Sequence, residues 1–93
     1  MSRNKNGSWR YQAVYIERDT GDDEKVLEFS ICEVYLDKDG KLEMWTENSN
    51  MSPFGNTIDE LLADLQIMTD DVRKWKAVPF DSLRVGMSFE KIE

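Results

Sequence analysis

The sequence predicts a single α+β domain: a three- to four-stranded antiparallel meander sheet with one amphipathic helix packed on one face, in the order β-β-β-α-β. Three observations predict it. Residues 9–18 alternate with a period of two, a second run rich in β-branched and aromatic residues ends in DKDG, and residues 58–75 repeat apolar side chains at helical spacing behind a T-x-x-E start. A chain of 93 residues is too short to divide into two cores. Folding removes roughly 60–65% of the surface of such a chain from water, which leaves little depth for an internal cavity.

Residues 1–8 are polar with a glycine and are expected to form a disordered arm. From Trp9 to Arg18, Trp9, Tyr11, Ala13 and Tyr15 fall on one side of a strand and Arg10, Gln12, Val14 and Ile16 on the other. The TGDDEK that follows has the glycine and short polar side chains of a turn. KVLEFSICEVYLD is the second strand, DKDGK the second turn and KLEMWTEN the third strand, and short loops between consecutive strands give a meander. Pro53 and Gly55 break the pattern before the helix.

Thr57 and Glu60 form a capping box that starts the helix at Ile58. Ile58, Leu61, Leu62, Leu65, Met68, Val72 and Trp75 make one stripe, expected to be buried, and Pro79 is the stop. Domain organisation follows: the arm 1–8, the α+β domain 9–80, and a tail 81–93 in which SLRVGMSF, like VPF before it, is a candidate added strand.

Strand two is apolar on both faces, with Val26, Cys32, Val34 and Leu36 on one and Leu27, Phe29, Ile31 and Tyr35 on the other. One helix covers only one of them. Either the tail, through Leu83, Val85, Met87 and Phe89, or a second copy must cover the other, and a homodimer is the preferred reading.

Nineteen acidic against twelve basic residues give a net charge of −7. That opposes neutralisation of phosphates, so direct nucleic-acid binding is not expected, and it favours a basic protein partner. One cysteine, Cys32, and no histidine leave no internal disulfide, no expected zinc or other cofactor site, and no histidine-activated nucleophile. The start MSRNKNGS lacks the apolar run of a secretory signal and no stretch reaches the length of a membrane span, so a cytoplasmic location without membrane contact is expected.

Asp37, Asp39 and Gly40 resemble the start of a calcium loop, but Lys41 occupies the position of the third ligand, and a hairpin turn is the better reading. The acidic loop of Asp19, Asp22, Asp23 and Glu24 reads as solvated. Glu28 and Glu33 have opposite strand parity and cannot act on one substrate. No catalytic residues are assigned. Trp9, Tyr11, Tyr15 and Trp45, with Arg10 and Arg18 nearby, are the candidate interaction surface, because Trp, Tyr and Arg anchor protein interfaces. The expected function is therefore a non-enzymatic protein-interaction or regulatory module. The alternative is a small-ligand binding protein or minor enzyme with a pocket between the sheet and loop 48–56, where Phe54 and Trp45 would contact the ligand.

The strand order and GNTIDELLADLQIM, with Gly55, Thr57, Glu60, Leu61 and Leu62 at the helix entry, resemble the HicB-like antitoxin domain over roughly residues 9–80. MSPFG loosely resembles that family's proline- and glycine-containing segment before the helix. The resemblance implies masking of a small basic RNA-cleaving toxin. The residues after Trp75 are too few to hold the added DNA-binding domain of many members, so repressor activity is not expected. EVYLDKDG is also similar to an EVYYDEDG-like strand and turn in short uncharacterised bacterial proteins, a likeness that implies no activity.

Overall fold

A computed structural model describes residues 7–22, 24–46 and 52–93. Most of the expected arm, Asp23 of the acidic loop and residues 47–51 before the helix lie outside the described residues. The elements are β1 (Gly7–Asp19), β2 (Lys25–Asp37), β3 (Leu42–Trp45), α1 (Ile58–Lys74), β4 (Val78–Pro79) and a 3-10 turn at Phe80–Ser82. β1 begins at Gly7, which pairs with Asp37, so the last two residues assigned to the arm belong to the sheet.

The sheet order is β3-β2-β1-β4. β1, β2 and β3 form the expected antiparallel meander. The second turn closes as a hairpin: Gly40 has φ 79°, and the Asp37 carboxylate accepts from the amides of Asp39 and Lys41, each at 2.9 Å. The calcium-like residues are thus occupied by their own turn. β4 differs from the meander. Val14 and Tyr15 pair with Val78 and Pro79 in parallel, a pairing that needs a long crossover connection, which the segment containing α1 between β3 and β4 supplies. Pro79 has no amide to extend the ladder, which keeps β4 short.

The helix starts where the sequence places it. The Thr57 hydroxyl accepts from the Glu60 amide at 3.1 Å, while the Glu60 carboxylate accepts from the Asn56 amide at 3.1 Å, one residue earlier than in a standard capping box. It ends before Pro79: Trp75 is already extended, with φ −119° and ψ 135°, and bridges to Lys91.

The expected stripe is only partly covered. Met68 is buried, Leu61 and Val72 are half-buried, and Ile58, Leu62 and Leu65 are exposed. The helix packs against β1, and the residues facing that strand include two carboxylates. Asp64 accepts from the Tyr11 hydroxyl at 2.6 Å and Asp71 from the Tyr11 amide at 2.9 Å. Those bonds hold part of the apolar stripe away from β1.

The opposite face of the sheet is closed by the chain itself. Val14, Cys32, Val34, Leu36 and Leu42 form a core with Leu83, flanked by Phe80, Met87 and Phe89. Backbone bonds from Leu42 to Met87 (2.8 Å) and from Gly86 to Leu42 (2.7 Å) fasten this segment to β3. Of the two covers considered for that face the tail is the one observed, so the bare face that suggested a second copy is filled. Arg10 is buried there too. Its guanidinium lies 4.1 Å from the centre of the Trp75 ring and 4.8 Å from that of Phe89 and donates to the Gln12 side chain at 2.6 Å. It therefore belongs to the core, not to an exposed surface.

Beyond Tyr15 the β1–β2 hairpin continues with neither β3 nor β4 beside it, pairing Ile16–Asp19 with Glu28–Lys25. Arg18 and Glu28 form an ion pair across it at 2.9 Å. The molecule is correspondingly elongated, 46 × 34 × 27 Å.

Candidate functional site

Because α1 lies over β1, the neighbouring part of β2 on that face is left partly open. β2 places Phe29 and Ile31 on the helix side by strand parity. Phe29 is 62% exposed. α1 supplies Leu65 and Val72 as the facing wall. Two adjoining hollows result. One of about 450 Å³ is lined by Ile31, Pro53, Leu65, Met68 and Val72 together with the polar Thr69 and Arg73, and one of about 390 Å³ chiefly by Phe29, Ile31, Val72, Trp75 and Ile92. They share Ile31 and Val72, and we treat them as one apolar groove between helix and sheet.

A second depression, a cleft of about 510 Å³, lies toward the start of α1. It is lined by the rings of Trp9, Tyr11 and Phe54 and the carboxylates of Glu33, Glu60 and Asp64. Trp9 and Tyr11 meet edge to face at 5.3 Å between ring centres. Asp64 joins its walls: besides the Tyr11 hydroxyl it accepts from the Phe54 amide at 2.8 Å, tying the loop to the helix. Glu33 accepts from the Tyr35 hydroxyl at 3.0 Å. Burial, followed by the Asp64 hydrogen bond and nearby carboxylates, pushes the Tyr11 hydroxyl pKa far above its ordinary value. Burial and Glu33 raise that of Tyr35. Both phenols therefore remain neutral donors at neutral pH.

The four aromatic residues singled out by sequence do not form one surface. Trp9 and Tyr11 are core residues whose rings line the cleft. Tyr15, half-buried, meets Phe29 in a tilted ring contact at 5.5 Å between centres. Trp45 lies across the sheet, packed against the tail-side core, where it lines a shallow hollow of about 380 Å³ with Met44 and Phe80. The pocket considered between the sheet and loop 48–56 corresponds in position to the cleft, with Phe54 in its wall and Trp45 on the opposite side of the sheet.

Glu28 and Glu33 point to opposite faces, as their parity requires: Glu28 pairs with Arg18, whereas Glu33 lines the cleft. Cys32 is fully buried, and desolvation raises its thiol pKa to about 11. No cluster of three metal-ligating side chains occurs among the described residues, and no helix among them is long and apolar enough to cross a membrane. The sequence reading missed Asp64 and the inward position of Asp71. Their signal was present, since residues seven apart share a helix face and Met68 lies between them on that face. Comparison of the chain with protein-family models, curated proteins and solved structures finds no match.

Proposed function

We propose that this domain is a non-enzymatic interaction module that holds an apolar segment of a basic protein partner in the groove between α1 and β2. One observation carries the reading: both walls of the groove are mainly apolar, with Thr69 and Arg73 the polar members of the helix wall, and both are incompletely covered, with Leu65 41% and Phe29 62% exposed. Leu62, one turn before Leu65 on the helix, is exposed as well. A continuous apolar hollow of this kind is a feature of protein-docking surfaces. The net charge of −7 supports a basic partner, because opposite fields accelerate encounter and disfavour acidic competitors. An antitoxin-like role, masking a basic protein, is the specific form of this reading that agrees with the charge.

The burial of Cys32 and the separation of Glu28 from Glu33 support a binding role over a catalytic one. Affinity capture with the tagged full chain from its native lysate tests the reading, with Leu65→Asp as the control that spoils one wall. The expected result is a stoichiometric basic protein, released by high salt and absent from the Leu65→Asp capture. Recovery of the domain paired only with itself would overturn it in favour of a homodimer.

A further inference from the structure

The cleft beside the groove has a composition that selects for charge. Three carboxylates, Glu33, Glu60 and Asp64, and three aromatic rings, Trp9, Tyr11 and Phe54, line it, and no basic residue does so among the described residues. Carboxylates attract cations, and an apolar wall weakens screening by water. Asp64 already gives both oxygens to its own fold, one to Tyr11 and one to Phe54, so it contributes charge more than an acceptor. Glu33 and Glu60 each have one oxygen engaged, by Tyr35 and by Asn56. Their second oxygens are the acceptors available to a guest among the described residues. The positive end of the α1 dipole lies nearby, but Asp59 and Glu60 in the first turn offset it.

Pro53 lines the groove and Phe54 the cleft, so neighbouring residues of one loop border both. A chain lying in the groove has the cleft within reach of a long side chain. We propose that the cleft receives the side-chain cation of a lysine or arginine carried by the partner segment in the groove. The aromatic walls take the alkyl stem, and Glu33 and Glu60 accept from the ammonium or guanidinium. This rests on the reading of the groove as a protein-docking site. It adds a position-specific requirement to that reading: a basic residue beside the apolar anchor.

The test uses the full chain labelled with nitrogen-15 and titrated with N-acetyl-lysine methylamide, N-acetyl-arginine methylamide, spermidine and N-acetyl-glutamate methylamide, following the Trp9 indole N–H resonance. The expected result is a saturable shift with the lysine or arginine probe and none with the glutamate probe. Glu33→Gln combined with Glu60→Gln keeps the hydrogen bonds to Tyr35 and Asn56 while removing two charges. It should weaken binding at least tenfold, with an unchanged amide spectrum elsewhere. Equal shifts with lysine and glutamate probes, or unchanged affinity in the double variant, would overturn the proposal. A shift with spermidine alone would overturn it too, by assigning the cleft to a free polyamine. Cation binding by the cleft without a captured protein would sink the docking reading instead, so the two failures are distinguishable.

Discussion

Asp64 connects three parts of the molecule through two oxygens, one bonded to Tyr11 on β1 and the other to the Phe54 amide in the loop before the helix. Hydrogen bonds to charged groups contribute about 1.5–3 kcal/mol net. Tyr11→Phe should therefore lower unfolding stability by about 1.5–3 kcal/mol, read as a lower urea midpoint with an unchanged slope. A change under 0.5 kcal/mol, by contrast, falls within the range expected of an ordinary surface substitution and would show that this hydroxyl bond is immaterial. Cys32 gives a pH dependence. Its folded pKa of about 11 exceeds the ordinary value of 9.0, so the unfolded chain loses its thiol proton first. The thiol's contribution to stability is complete below pH 9 and is lost as pH rises through 11. Urea titrations at pH 8 and 10 should show the loss in the native chain and a smaller one in Cys32→Ala, after allowance for the tyrosines. Strand parity made the burial of Cys32 legible in the sequence. The inward Asp64 and Asp71 were passed over despite the spacing that puts them on one face with Met68, because carboxylates in a helix are ordinarily assigned to its solvated side.

The helix was the most legible element, since its start depends on local chemistry. Thr57→Ala removes the acceptor for the Glu60 amide and should cost about 1 kcal/mol. Gly55→Ala should cost more. A methyl group there would crowd the Leu61 amide and lie 2.7 Å from the Glu60 carbonyl carbon, and backbone cannot yield as a flexible side chain can. Thermal melts of the two variants should rank in that order; equal melting temperatures would show that the loop relaxes. The strands of the meander were legible by their period and turn residues. The fourth strand was legible only as a candidate: two residues carry no period, and their parallel pairing follows from the crossover, which is a property of the assembled chain.

For the domain as a whole, the reading that one helix cannot cover both faces was sound, and the tail resolves it. Leu83 enters the core formed by Val34, Cys32 and Leu42. Leu83→Ala should therefore cost about 2–5 kcal/mol, comparable to losses inside the sheet. A near-neutral result would mean that the segment covers the face without contributing to its stability. The partly open groove on the helix side could not be read from sequence. Ile58, Leu62, Leu65 and Met68 share one apolar pattern, yet only Met68 is buried, and the difference comes from where the helix lies across the strands.

The β1–β2 hairpin outruns the sheet that supports it, and a two-stranded ribbon without a third strand or a packed helix is marginal in water. Its amide protons should consequently exchange with deuterium in two regimes along the same pair of strands. At the pairs Arg10–Val34 and Gln12–Cys32 exchange should require global unfolding. At Ile16–Glu28 and Arg18–Val26 it should proceed by local fraying and be orders of magnitude faster. A partner that grips the outer ribbon would slow the second set alone, whereas one confined to the groove would leave its exchange unaltered.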